Sequence, residues 1–249
     1  MVALAGALGW LVVRGAGSIG YNWQWFQVPR YLWRVVDGEL IWGPLVKGLM
    51  VTLQMSGIAL VLALLLGVVT AIFRLVGTRM QRAVARTYLE VIRNTPLLMQ
   101  IYVFYFVVAP LIGLDRYATG VIALAVFGGA FASEIVRAGI EAVPRGQWEA
   151  AASLGLTRTQ VYRLVVLPQA LRLLLPPLTG QAITLIKASA IVSVIAVFDL
   201  TTEGRNIISD TFLTFEIWLT VAAIYLAVTL TISLAVGALE RRLGEPAAA

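Results

Sequence analysis

Apolar residues along the chain fall into long blocks separated by short polar stretches that carry most of the arginines. A hydrocarbon core of about 30 Å takes about 20 apolar residues as helix, and Leu45–Phe73 is the first block long enough. Within it Gly48, Thr52 and Ser56, then Ala63, Gly67 and Ala71, recur every fourth position. That spacing lines one helix face with small groups and lets a second helix approach closely. A second span is predicted from Pro96 to Ile112, with Pro96 early in the helix, where the missing N–H has no partner in any case. Gly113–Arg116 reads as a turn. Tyr117–Ile140 reads as the third span, with Ala125, Gly129 and Ser133 as another small face. The block Ala170–Leu200 is too long for one straight helix, and Pro176-Pro177 predicts a break or kink in it. The reading is a membrane-surface piece before the prolines and a fourth span from Leu178 to Phe198. Asp199–Phe215 reads as a polar loop and Glu216–Leu239 as the last span.

Ahead of the first span, Tyr21–Glu39 gathers Trp23, Trp25, Tyr31 and Trp33. Such side chains favour the membrane–water interface, which predicts a surface-lying segment. Met1–Val13 is apolar, but short for a span and without the basic residues of a signal peptide. It is read as either a shortened extra helix or an interfacial segment, and is not counted as a span.

Composition agrees with a lipid solvent. Hydrophobic residues make up 60% of the chain and charged residues 13%, against about 25% charged in soluble domains. The fold class is therefore all-α polytopic membrane protein, with about five transmembrane helices. The net charge of +6 would suggest nucleic acid in a soluble protein, but here the arginines lie between apolar blocks and set topology. No nucleic-acid partner is expected. With five spans, Arg74–Arg93, Arg137–Arg172 and Arg241-Arg242 fall on one side, and Asp199, Glu203, Asp210 and Glu216 face Arg205 on the other. The positive-inside rule then puts the C-terminus in the cytoplasm and the N-terminus outside; Arg14, Arg30 and Arg34 run against it. The sequence contains neither Cys nor His, which removes thiol nucleophiles, disulfides, the usual zinc sites and imidazole acid–base catalysis.

The stretch from Arg145 to Pro168 predicts two short helices. Gln147–Leu154 is Ala-rich and a strong helix former. Gly155 suits the position just past a helix end, where φ turns positive. Thr157 and Gln160 have capping-box spacing, and Val161, Leu164 and Val165 give the second helix an apolar face. Pro168 falls near its end. Such a helix–turn–helix is either a connector or a docking element for a soluble partner with a groove.

Glu149-Ala150-Ala151, then Gly155, then Leu167-Pro168, resembles the EAA coupling loop of ABC-importer permeases. Glu134–Ile140, Pro144–Gln147, Leu167–Ala170, Glu90–Leu97 and Leu239–Arg242 resemble the branch that takes up polar amino acids. The likeness runs from about Gly48 to Arg242. Asn94 stands where that family usually has Gly, and Lys187-Ala188-Ser189-Ala190 replaces a commoner Lys-Asp/Asn-Thr/Ser-Ser/Ala pattern. The resemblance implies a type I ABC-importer permease fold. Residues 1–44 would form an N-terminal interfacial or extra-helix segment, 45–242 the permease domain and 243–249 a cytoplasmic tail. It implies a bacterial inner-membrane subunit that translocates polar or charged amino acids by alternating access. The partners would be an ABC ATPase dimer, a second permease (identical or paralogous) and a periplasmic amino-acid-binding protein. ATP and Mg would bind the ATPase, since no Gly-Lys dipeptide for a phosphate loop occurs in this sequence.

The resemblance places ATPase coupling at Gly146, Glu149, Ala150, Ala151, Gly155, Leu167 and Pro168. Glu149 also suits the positive end of its helix dipole. Lys187 lies inside the predicted fourth span, where a cation costs about 2.5–3.5 kcal/mol on insertion scales. It would pair either with a substrate carboxylate or with a fixed acceptor such as Glu134, and the fixed pair is favoured. Glu134 and Arg137 are one turn apart and can bond each other. Gln181, Thr184 and Ser189 complete the candidate substrate pathway. A channel or secondary transporter would need rings of acids or a proton relay in the spans, and few such residues occur there. An intramembrane enzyme would lack His, Cys and a Gly-x-Ser-x-Gly elbow.

Overall fold

The computed structural model describes residues 20–242; Met1–Val13 and the 243–249 tail lie outside the described residues. One helical turn, Pro29–Leu32, leads into a two-stranded antiparallel hairpin, β1 (Trp33–Val36) and β2 (Glu39–Trp42). Asp37 and Gly38 turn it with φ of 53° and 81°. These are both positive, as a type I′ turn requires, and the Asp-Gly dipeptide suits that geometry. The helices that follow are α1 (Pro44–Val76), α2 (Arg79–Arg93), α3 (Leu97–Ile112), α4 (Arg116–Glu141), α5 (Arg145–Ser153), α6 (Arg158–Ile195), α7 (Leu200–Thr211) and α8 (Thr214–Arg242). α1, α4, α6 and α8 are long and apolar enough to cross a bilayer, and α2 with α3 forms a bent pair that can serve as a fifth span.

α4 is the central rod, packed on α1, α2, α3 and α6. The small residues read as packing faces are where the helices meet: Gly48, Thr52, Ser56, Ala63, Gly67 and Ala71 of α1 are buried, as are Ala125, Gly129 and Ser133 of α4. At Gly67 the approach is so close that an added Cβ would sit 2.6 Å from Ala132 Cβ. In a bilayer this fit replaces the hydrophobic drive that water supplies elsewhere.

α2 and α3 meet at an angle of 110°. Gln100, buried, closes the corner by donating its amide to the carbonyls of Ile92 at 2.8 Å and Thr95 at 2.9 Å. Those carbonyls fall where α2 ends and the next helix has not yet begun, so intrahelical donors are lacking. Asn94 has φ −97° and needs no glycine; its amide caps the Glu90 carbonyl at 2.8 Å. α2 itself is amphipathic, with Ala85, Leu89 and Ile92 inward, and is opened by a Thr78–Gln81 capping box.

Three expectations are corrected. The helix after Thr157 does not stop near Pro168; it continues as α6 to Ile195, so the elbow's second helix and the fourth span are one helix, which ends before Phe198. A π-helical stretch, Val161–Val166, precedes Pro168 and contains Leu164, the residue whose carbonyl the proline ring would strike. The same device, Phe104–Val108, precedes Pro110 and contains Phe106. Nor do Pro176 and Pro177 break the helix, which runs unbroken from Leu167 to Ser189. Both prolines lie exposed, while Leu174 before them and Gln181 and Leu185 after them are buried. Leu174 packs at Gly139 and Leu185 at Gly128, so α4 holds both halves in line. Finally, the stretch read as a polar loop contains α7. Asp199 caps it, accepting from Thr202 N at 2.8 Å, and Leu200, Gly204 and Ile207 are buried at helical spacing.

Candidate functional site

The end of the bundle where α1, α4 and α6 meet carries the elbow formed by α5 and the start of α6. Gly155 turns the chain with φ +72°, and Thr157 and Gln160 form the capping box. An apolar cluster fixes the elbow to the bundle: Ala71 of α1, Val136 and Ile140 of α4, Val143, Ala151 of α5, and Val161, Val166 and Ala170 of α6. Trp148 donates its indole N–H to the Val143 carbonyl at 3.3 Å and stacks edge-on against Tyr162 at 5.2 Å. The residues predicted to couple therefore divide. Ala151 points inward and anchors α5. Gly146, Glu149, Ala150, Gly155, Leu167 and Pro168 are exposed. Leu154 is also exposed, at 80%, on the tip beside Gly155. Its place as the last apolar residue before the turn was visible in the sequence, but its exposure depends on how α5 lies on the bundle.

Beside the elbow, Glu134 of α4 gathers three arginines. Its Oε1 accepts from Arg74 of α1 at 2.8 Å and from Arg93 of α2 at 3.3 Å, and its Oε2 from Arg137 at 3.0 Å. Arg137 also reaches Glu141 at 2.5 Å. The expected Glu134–Arg137 bond is present. A Glu134–Lys187 pair is not; both carboxylate oxygens of Glu134 accept from arginines instead.

Lys187 makes no ion pair among the described residues. It stands with Thr184 on an exposed stripe of α6 that runs Leu173, Pro177, Gly180, Thr184, Lys187 and Ile191. The successive spacings of four and three define one helical face. The cavity at the elbow end of this stripe is lined by Glu134, Ile135, Ala138, Leu173 and Pro177. Gln181 and Ser189 lie on the opposite side of α6. Gln181 donates to the Gly128 carbonyl of α4 at 3.5 Å, and the Ser189 hydroxyl to the Ile186 carbonyl at 2.7 Å. The structure thus brings Thr184 and Lys187 together, puts Glu134 near the foot of their stripe, and assigns Gln181 and Ser189 to packing.

The fold is thus a bundle of membrane-length helices with a docked helical elbow and a cavity bordered by Glu134 on one helix face. Residues 63–245 match the family of binding-protein-dependent transport system inner membrane components, and the chain belongs to it. It is 40% identical over 194 residues to the probable glutamine ABC transporter permease protein GlnM of Bacillus subtilis, covering 77% of this chain and 89% of that one. It is 36% identical to the glutamine transport system permease protein GlnP of Escherichia coli K12, covering 83% and 97%. It is 34% identical to the L-cystine transport system permease protein TcyB of Bacillus subtilis, covering 91% and 94%. Among solved structures, an amino acid ABC transporter crystallised with histidines superimposes with a TM-score of 0.76 at 40% identity, covering 80% of this chain and 94% of that one. The chain is a permease subunit of an ABC importer, in which ATP hydrolysis belongs to a separate subunit.

Proposed function

We propose that this permease imports polar amino acids across a bacterial inner membrane by alternating access, with the elbow as the coupling element. Its relatives carry glutamine and cystine in their names, which supports a polar amino-acid cargo. The observation that carries the coupling reading is the two-sidedness of α5: Ala151 is buried against the ends of α1, α4 and α6, while Glu149 and Leu154 are exposed. A push on the exposed side passes through a close-packed cluster into three spans, and packed interfaces shift as units and do not deform smoothly. The ATPase dimer, holding ATP and Mg, docks on Gly146, Glu149, Ala150, Gly155, Leu167 and Pro168 from the cytoplasm. The C-terminus lies on that side and the N-terminus outside. A second permease, identical or paralogous, completes the pore, and a periplasmic amino-acid-binding protein loads it. Lys187 and Thr184 line the path on the exposed stripe of α6, with Glu134 at its cytoplasmic end.

The experiment is co-reconstitution in vesicles of this chain with its ATPase and binding protein, followed by uptake of labelled glutamine, cystine and arginine. Uptake that requires ATP and all components is expected. Accumulation by vesicles holding this chain alone would overturn the reading.

A further inference from the structure

The proposed transport cycle gives the hairpin ahead of α1 no task. Its register pairs Trp33 with Trp42 and Val35 with Leu40 on one face, and Arg34 with Ile41 and Val36 with Glu39 on the other. Side chains alternate across a strand, so the first face is entirely apolar. It is also open: Trp33 is 49% exposed, Val35 67%, Leu40 54% and Trp42 46%. An exposed apolar patch with two tryptophans marks a binding surface.

The fold places that surface. β2 ends at Trp42 and α1 begins at Pro44, with Gly43 alone between them. Gly43 N donates to the Leu32 carbonyl at 2.8 Å, and Tyr31 and Leu32 pack against the buried cluster that holds Leu45 of α1 and Leu200 of α7. The hairpin base is therefore clamped to the first turn of a membrane-spanning helix. At about 1.5 Å per residue, the exposed apolar flank of α1 at Met50 and Leu53 begins only about 9 Å further along the helix. The apolar hairpin face and the exposed apolar flank of α1 are thus close along the helix axis.

We propose that the Trp33–Val35–Leu40–Trp42 face lies on the lipid surface and anchors the N-terminal end of α1 at the bilayer boundary. Tryptophan prefers this zone, with its ring among acyl ends and its N–H toward water. Depth is limited by the backbone. A two-stranded hairpin has edge N–H and C=O groups without ladder partners, and these cannot enter hydrocarbon. The strands rest among headgroups, and only the four apolar side chains dip inward. Arg34 and Glu39, on the reverse face, stay in water.

Because the sequence has no cysteine, Arg34→Cys, Val35→Cys, Glu39→Cys and Leu40→Cys can each be spin-labelled singly in the assembled complex in lipid nanodiscs, with thiol-free partner subunits. Collision with oxygen, which dissolves in lipid, should exceed collision with a water-soluble nickel chelate severalfold at positions 35 and 40, and the order should reverse at 34 and 39. Nickel dominance at all four, or equal oxygen preference at all four, would overturn the assignment. So would shielding of 35 and 40 from both reagents, which would mean that a binding protein or a second permease covers the face. A label-free check uses lipids brominated near the headgroup end of the chains. They should quench the tryptophan fluorescence of the wild type more than that of the Trp33→Tyr/Trp42→Tyr variant; equal quenching would sink the proposal.

Discussion

Glu134 of α4 and Arg74 of the last turn of α1 meet at 2.8 Å, and this pair joins two spans at the end of the bundle that carries the elbow. Arg93 and Arg137 crowd the same carboxylate, so a single acid holds three cations together. Removing it leaves Arg74 and Arg93 without this partner and Arg137 with Glu141 alone. Glu134→Ala is expected to destabilise the subunit by about 1–2 kcal/mol, less than for a fully buried pair because the site is part-exposed. Thermal unfolding in detergent measures it. The double variant with Arg74→Met should recover part of the loss, and strict additivity would refute the coupling.

Variants of Gly155 and Glu149 test the proposed coupling role apart from structure. Gly155 has φ +72°, a conformation that costs an L-residue about 1–2 kcal/mol. Gly155→Val should therefore reorient the elbow tip and abolish ATP-driven uptake while the chain still inserts in the membrane. Glu149→Lys touches no packed residue, so its melting temperature should match the wild type while hydrolysis and uptake uncouple. Normal uptake in both variants would remove the case for this loop.

Gly67 and Gly57 lie on one helix but test opposite environments. An added Cβ at Gly67 would lie 2.6 Å from Ala132 Cβ and 2.9 Å from Ser133 N, whereas at Gly57 nothing lies within 4 Å. Gly67→Ala should cost about 1–3 kcal/mol through overpacking. Gly57→Ala should be neutral or gain up to about 1 kcal/mol from helix propensity. Unfolding of the two variants in parallel decides.

Lys187 and Thr184 share the exposed stripe of α6. Lys187→Met should lower uptake by roughly tenfold or more, equivalent to ~1.4 kcal/mol, with assembly intact by size-exclusion chromatography. Gln181→Leu, on the packed side, should act on stability first. Unchanged uptake affinity and rate in Lys187→Met would remove this residue from the path.

Asp199, in the connection after α6, is held above the ordinary carboxylate range by burial, against the lowering effect of the hydrogen bonds from Thr202 and Thr201 and the charge of Arg205. Its folded pKa exceeds its unfolded one, so the folded state keeps the proton longer. Stability from this group is present at low pH and declines as pH rises above the unfolded pKa of about 3.9. Asp199→Asn keeps an acceptor for Thr202 N without ionising, so its stability relative to the wild type should rise as the pH climbs above about 4. A flat difference above that pH, from unfolding at several pH values, would refute the burial effect.

Much of this was legible in the chain itself. Gly48, Thr52, Ser56, Gly67 and Ser133 announced the helix contacts because small residues four apart have few other uses in lipid. Gly155 and the Thr157–Gln160 pair announced the elbow, because positive φ and capping are local requirements. Asp37-Gly38, Thr78–Gln81 and Asp199–Thr202 are equally local signals, for the hairpin, α2 and α7, though weaker than the apolar blocks beside them.

Hydrophobic periodicity and local backbone chemistry thus determined the class, the span count and the elbow, since both act within a few residues of sequence. Only the tertiary structure decided that α6 runs unbroken past Pro176-Pro177 and that Glu134 belongs to Arg74, Arg93 and Arg137 instead of Lys187. It also decided that Ala151 faces inward while Leu154 faces out. Each of these depends on side chains distant in sequence, and a helix held on both sides by a packed neighbour follows the neighbour over its own local preference.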